Sequence, residues 1–286
     1  MPVRRVRGGA ERLVLATRLL QRVRLAHPTA GVWEAADVQW WSRTPRRTDD
    51  LAMPFWFDDD GPVAAVLLTD WTTAWGLDVL RIPEGPPDLD EVWAEARGLM
   101  AAAGQDAYDS LVREDDDELV ARLVAAGFEP GSRAWEAWMD ADDRPRVVAP
   151  PDGYRLVDRA DDRSGLHPMV ARSGHDVEAR LQRCSLYDPA LDLAVQTADG
   201  SFAGYALFWA DPGTGVGLLE PMRVEDPHAR RGLARAMLTA GLDRLANRGM
   251  TRLKVGFETE AARALYLGAG FRPGAALRNY STRGET

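Results

Sequence analysis

The most regular hydrophobic pattern in the chain lies between residues 233 and 249. Leu233, Met237, Leu238, Leu242 and Leu245 recur at helical spacing and form one apolar stripe. Gly249 stands where a helix C-cap is expected. Ahead of this helix, residues 216–224 form an apolar run that reads as a strand. Behind it, residues 250–257 read as a second, shorter strand. A last helical segment follows from Thr259 through Leu265-Tyr266-Leu267 and ends at Gly270-Phe271. Further upstream, residues 191–197 and 202–209 flank Asp199-Gly200 as strand, turn, strand. Residues 154–157 read as the first strand of this half. The pattern predicts an α/β unit in which strands and helices alternate.

The first half repeats that order. Residues 55–57 and 62–70 flank Asp58-Asp59-Asp60-Gly61 as strand, turn, strand, and residues 77–82 give the next strand. Asp78 then falls opposite Glu220, and Arg81 opposite Arg223. Residues 119–130 match 262–273, with the same Gly-Phe-x-Pro ending, and Leu123 takes the place of Tyr266. Three blocks agreeing in order favour an internal duplication. Residues 141–152, rich in Asp, Arg and Pro, read as a linker. The expected domains are therefore 1–140 and 153–286.

The two halves differ most where a phosphate would be held. The second carries Ala229-Arg230-Arg231-Gly232-Leu233-Ala234-Arg235 at the start of its long helix. Small residues there let a ligand approach bare backbone N–H groups, and the helix dipole favours an anion. The first half has Pro83-Glu84-Gly85-Pro86-Pro87-Asp88 instead. Proline has no N–H to donate, and the acidic residues would repel a diphosphate.

The second-half sequence resembles the GCN5-related N-acetyltransferase (GNAT) family, over roughly residues 153–275. Gly232 and Ala234 match the last two positions of that family's acetyl-CoA motif, and the Leu-Tyr pair at 265–266 and the Gly-Phe turn match its later helix. Ala229 departs from the family's Gln or Arg, and Thr259 from its Asn. The resemblance implies two tandem GNAT-like domains, each with a mixed, mostly antiparallel sheet flanked by helices. One is a worn first copy without a cofactor loop, and the other is a working second copy. This arrangement is similar to the tandem branch that includes mycothiol synthase. It implies acetyl transfer from acetyl-CoA to a small-molecule amine, with antibiotic or amino-acid acetylation as other acceptors. A non-catalytic acyl-CoA-binding or regulatory protein is the alternative.

By the same resemblance, the cofactor contacts are Met222, Arg223, Val224, Ala229, Arg230, Arg231, Gly232, Leu233, Ala234, Arg235 and Thr259. The main chain of 222–224 would pair with the pantetheine arm, and the N–H near Val224 would hold the thioester oxygen. Tyr266 would act as the general acid; its residue type alone would also suit a packing tyrosine. Counting in twos along the strand puts Glu220, Met222 and Val224 on one face. Glu220 could serve as a base through water, attract a cationic acceptor, or pair with an arginine such as Arg223.

The remaining composition narrows the setting. The 286 residues suffice for two domains, and no apolar run is long enough to span a membrane. The net charge of −9, concentrated in the first half, argues against nucleic acid and suits an amine. The arginine-broken helix at 13–22 is no secretory signal, and the single Cys184 fits a reducing cytoplasm. His167, His175 and His228 lack metal-ligand spacing, so no metal is expected. The acidic run at 114–118 reads as a solvated helix cap. Nine of the ten tryptophans lie in the first half, mostly as packing. Trp40-Trp41, read as adjacent strand residues on opposite faces, puts one ring at an interface. A homodimer is compatible with the sequence.

Overall fold

The computed structural model describes residues 2–161, 163 and 165–282. The elements in chain order are β1 (Val3–Arg7), α1 (Gly9–Ala26), α2 (Ala35–Trp41), β2 (Met53–Asp58), β3 (Gly61–Asp70), β4 (Trp75–Arg81), α3 (Leu89–Ala103), β5 (Tyr108–Arg113), α4 (Asp117–Ala125) and β6 (Glu129–Asp140). They continue with β7 (Tyr154–Asp158), α5 (Val170–Ser173), α6 (Val177–Leu181), β8 (Asp192–Thr197), β9 (Phe202–Asp211), β10 (Val216–Val224), α7 (Leu233–Asn247), β11 (Arg252–Phe257), α8 (Glu260–Gly268) and β12 (Arg272–Ser281).

The chain packs as two compact units. The first comprises Met1–Val38, Pro45–Ala134 and Ala275–Thr286; the second comprises Gln39–Thr44 and Trp135–Gly274. The expected division into 1–140, a linker at 141–152 and 153–286 follows the chain, whereas the packing exchanges segments. In the first unit the sheet runs β1-β2-β3-β4-β5, antiparallel except for the parallel β4–β5 pair, and β12 lies antiparallel against β5. In the second, β7-β8-β9-β10 are antiparallel, β11 is parallel to β10, and residues 135–140 of β6 lie antiparallel against β11. Each unit thus takes its last strand from the chain segment that follows the other unit's final helix. The hydrophobic pattern does not say which sheet β6 or β12 joins.

Both units repeat one topology, β–α–β–α around a parallel strand pair. The turn after the last helix is built alike in each. Phe128 N–H donates to the Leu123 carbonyl (3.0 Å), and Phe271 N–H donates to the Tyr266 carbonyl (3.1 Å). In the second unit α7 covers β8, β9 and β10, burying Leu233, Met237, Leu238, Leu242 and Leu245 as its stripe predicts. Gly249 follows the helix with φ +82°, the left-handed turn that its lack of a Cβ permits. The acidic run serves as a cap, because Asp116 accepts from Leu119 N–H at the start of α4.

Trp40 and Trp41 are helical, not strand residues. Ala35 and Ala36 favour a helix, and the Asp37 carboxylate accepts from Glu34 N–H (2.6 Å), closing the first turn. Both rings are buried. Among the described residues no helix is long and apolar enough to cross a membrane.

Gly241 lies at the middle of α7, over the ring of buried Phe208. A Cβ there would stand 2.0 Å from that ring. Alanine is the better helix former by about 1 kcal/mol, but the overlap forces backbone or ring movement. Gly241→Ala is expected to lower stability by about 1–3 kcal/mol in urea unfolding; an unchanged midpoint would contradict this packing.

Candidate functional site

The predicted site residues gather around the end of the parallel pair in the second unit. The β10–β11 register runs from Val216↔Arg252 to Leu219↔Val255 and stops there. Beyond Leu219, β10 remains paired with β9 on its other side, through Met222↔Ala206, Arg223↔Tyr205 and Val224↔Gly204. Among the described residues, the edge of β10 that faced β11 is therefore left without a strand partner over the residues expected to meet pantetheine.

The register between Leu219 and Met222 shifts by one residue against β9, at the Glu220-Pro221 step. This bulge corrects the expectation that Glu220, Met222 and Val224 share one face. Strict alternation holds only in an unbroken ladder. Met222 and Val224 pack against the core under α7, while Glu220 meets groups the count could not foresee.

Two of those groups come from α2 and the residues just after it, and a third from the residue after β11. The Glu220 carboxyl accepts a hydrogen bond from Trp40 and feels the positive charge of Arg43 and the negative charge of Glu258. The Arg43 guanidinium lies over the Trp40 ring, 3.7 Å from its centroid. Glu220 does not pair with Arg223; that guanidinium lies 3.6 Å from Glu225 and 3.7 Å from Asp226. Burial, reinforced by Glu258 and opposed by Arg43 and Trp40, raises the Glu220 carboxyl to about 7. At neutral pH it is divided between its acid and base forms.

Tyr266 is buried on α8, its ring 6.0 Å from both Phe257 and Phe271. Burial first, and then the Glu220 charge, push its phenol well above the ordinary tyrosine range. The acid and base candidates therefore interact electrostatically. Thr259 is the N-cap of α8, its hydroxyl accepting from Ala262 N–H (3.2 Å).

The turn between β10 and α7 alternates in hand. Ala229 is extended, Arg230 has φ +62°, and the N-cap Gly232 has φ +83°. Gly232 supplies no side-chain cap, so the N–H groups of Leu233, Ala234 and Arg235 begin a helix without intrahelical acceptors. Successive N–H groups in such a turn converge on a concavity that suits an anion. Arg230, Arg231 and Arg235 are all exposed around it. Arg231 Nη1 donates to the Tyr154 hydroxyl (3.0 Å), which lies 2.9 Å from His228 Nδ1. His228, read from sequence as a rim residue, belongs to this small network.

Trp40, Arg43, Glu258 and Tyr154 escaped the sequence reading. The Trp40-Trp41 doublet singled out the first of them, but nothing local tied it to a strand nearly two hundred residues away. Among the described residues no group of His, Cys, Asp and Glu is arranged to hold a metal.

The model of the acetyltransferase (GNAT) family matches residues 159–271. A curated mycothiol acetyltransferase of Clavibacter michiganensis is 32% identical over 199 residues, which are 64% of this chain and 59% of that protein. The chain thus spans about three fifths of the length of that relative. A tandem GNAT protein from the clavulanic acid biosynthesis pathway has a similar fold, with TM-score 0.71 and 16% identity over the whole of both chains. A GCN5-related N-acetyltransferase of Sphaerobacter thermophilus matches with TM-score 0.64 and 16% identity, covering 99% of this chain and 97% of that one. Residues 159–271 of the chain are thus similar to the GNAT family, and the fold of the whole chain is that of a tandem GNAT protein.

Proposed function

We propose that the second unit transfers the acetyl group of acetyl-CoA to the amine of a small molecule. The observation that carries this reading is the uncapped start of α7, beside the open edge of β10. In this reading the N–H groups from Arg230 to Arg235 hold the diphosphate, and the exposed arginines add charge attraction. The main chain of Met222 to Val224 pairs with the pantetheine arm as an added strand. An N–H near Val224 stabilises the oxyanion at the thioester carbon.

From an ammonium acceptor two protons must leave the nitrogen, one before attack and one as the tetrahedral intermediate collapses, and one is supplied to the thiolate; the second nitrogen proton restores the Tyr266 phenol through water. The acceptor arrives as an ammonium, with a pKa near 8–10. Glu220 attracts it and takes its proton through water; the free amine attacks the carbonyl carbon, and the carbon–sulfur bond breaks. Tyr266 gives its proton to the departing thiolate. The two events support each other. Once Glu220 is protonated, its charge no longer raises the Tyr266 phenol, so the acid strengthens after the base has acted. Arg43 and Trp40 keep Glu220 from rising further and holding its proton at neutral pH.

A narrower acceptor is favoured by the 32% identity to a mycothiol acetyltransferase. In that reading the amine is that of a mycothiol precursor. The single, buried Cys184 is in keeping with a reducing cytoplasm.

Thiol release from acetyl-CoA, followed across a panel of amines that includes a mycothiol precursor, tests the whole reading. Tyr266→Phe is expected to lower kcat about 100-fold or more with little change in acetyl-CoA affinity. Equal turnover in both proteins would remove Tyr266 from the acid role. Acetyl-CoA binding without release on any amine would favour the non-catalytic alternative.

Glu220 must be ionised to accept the proton, so kcat/KM should rise with pH through about 7. Glu220→Gln should lower activity by about 100-fold and abolish that rise; a variant retaining the same pH limb would assign it elsewhere.

Gly232→Asp would place a carboxylate where the diphosphate is to sit. Coenzyme A affinity by calorimetry should fall at least about tenfold; aspartate tolerates the left-handed φ of +83° here better than most residues, at a cost of about 1–2 kcal/mol. Unchanged affinity would move the phosphate site off this turn.

A further inference from the structure

The first unit contains a cavity of about 360 Å³ that acetyl transfer in the second unit does not use. Its origin is the parting of the parallel pair β4–β5. These strands are in register only at Trp75↔Tyr108 and Gly76↔Asp109, and then separate. The Ser110 hydroxyl donates to the Leu77 carbonyl (2.8 Å) at the point of parting. Leu20, Val23, Leu80, Leu89, Val112 and Leu119 give the space apolar walls. Its size falls within the usual range for small-molecule pockets, about 300–1,000 Å³.

One charge faces this space without a counter-charge. Asp78 lines the cavity and is 7% exposed. Trp33 Nε1–H donates to its Oδ1 at 2.7 Å, and among the described residues no cation is paired with it. The other charged residues of the lining are engaged. Arg81 lies 3.6 Å from Glu118, Arg113 lies 2.8 Å from Asp115, and Asp116 accepts from Leu119 N–H as the α4 cap. Burial lifts the Asp78 carboxyl to about 7, against the Trp33 hydrogen bond. An isolated buried carboxylate is costly unless a cation joins it.

The same unit is unsuited to a diphosphate. The N-terminus of α3 is already capped, since Asp88 accepts from Glu91 N–H (2.8 Å), and Asp90 and Glu91 add negative charge to its first turn. The corresponding start of α7 has none of these.

We infer that the first unit binds a small organic ammonium compound in the β4–β5 cavity, its apolar body against the Leu and Val walls and its nitrogen on the Asp78 carboxylate. This site is separate from the proposed transfer site and does not depend on that reading. A bound ammonium supplies the counter-charge Asp78 lacks and donates to the oxygen that Trp33 leaves free. The apolar walls select an ammonium carrying a hydrocarbon group over a bare ion.

The test is calorimetric titration of the full chain with 2-phenylethylammonium, and with 3-phenylpropionate as the anionic counterpart, at about pH 8, where the amine stays protonated. It is run in a Glu220→Gln background, so that the second unit's carboxylate does not contribute. Binding of the ammonium but not the carboxylate is expected, with affinity falling about tenfold or more when Asp78→Asn is added. The asparagine still accepts from Trp33, which protects the fold. As a second readout, the Trp33 indole N–H resonance should shift on titration in the protein with Asp78 intact. Absence of ammonium binding, equal affinity with and without Asp78→Asn, or a shift confined to other indoles would overturn the inference.

Discussion

The functional reading of the second unit depends on where two parallel strands stop being paired. β10 and β11 share four residue pairs and then part, while β9 keeps the other edge of β10 in register. A strand held on one side and open on the other presents unpaired backbone groups, which another strand-like molecule can satisfy. The bulge at Glu220-Pro221 falls at the same point. It turns Glu220 away from the regular alternation and toward Trp40, Arg43 and the Tyr266 helix. The short connection that follows begins α7 without a cap. The open edge of β10 and the displaced Glu220 thus meet at one interruption in a ladder.

The electrostatics of the site follow from the same interruption. A carboxylate on an unbroken strand edge would be solvated or paired. Glu220 is instead surrounded by Trp40, Tyr266 and neighbouring chain, with an arginine close enough to limit its rise and a second carboxylate opposing that. The result is a carboxyl group balanced near neutrality and a phenol whose acidity answers to it. Asp78 occupies the matching place in the first unit and is displaced in the same direction by the same cause. The repeat has retained a buried acid beside a parted strand pair in both halves. What separates them is the helix start: Asp88 caps α3, and Gly232 leaves α7 without a side-chain cap.

The exchange of last strands has a plain physical basis. Each parallel pair leaves an edge at β5 or β11 that must be covered. The strand following each final helix can add to either sheet with the same hydrogen-bond geometry. Residues 135–140 cover β11 and residues 277–281 cover β5. Neither half of the sequence is therefore a complete packing unit by itself.

Much of this could be read from local pattern. The α7 stripe, the strand pairs around Asp-Gly turns, the duplicated Gly-Phe-x-Pro ending, the acidic cap of α4 and the glycine turn before α7 all rest on periodicity and backbone chemistry within a dozen residues. Tyr266 and Glu220 stand out because their neighbours in sequence form recognisable blocks. Three features were decided only in the folded chain: the bulge at Glu220-Pro221, the helical state of Trp40-Trp41, and the company that Trp40, Arg43 and Glu258 keep with Glu220. Each depends on contacts between distant segments or on the register of one strand against another. Hydrophobic alternation along a single strand is blind to a one-residue slip, and it carries no record of which remote side chain will stand across the cleft.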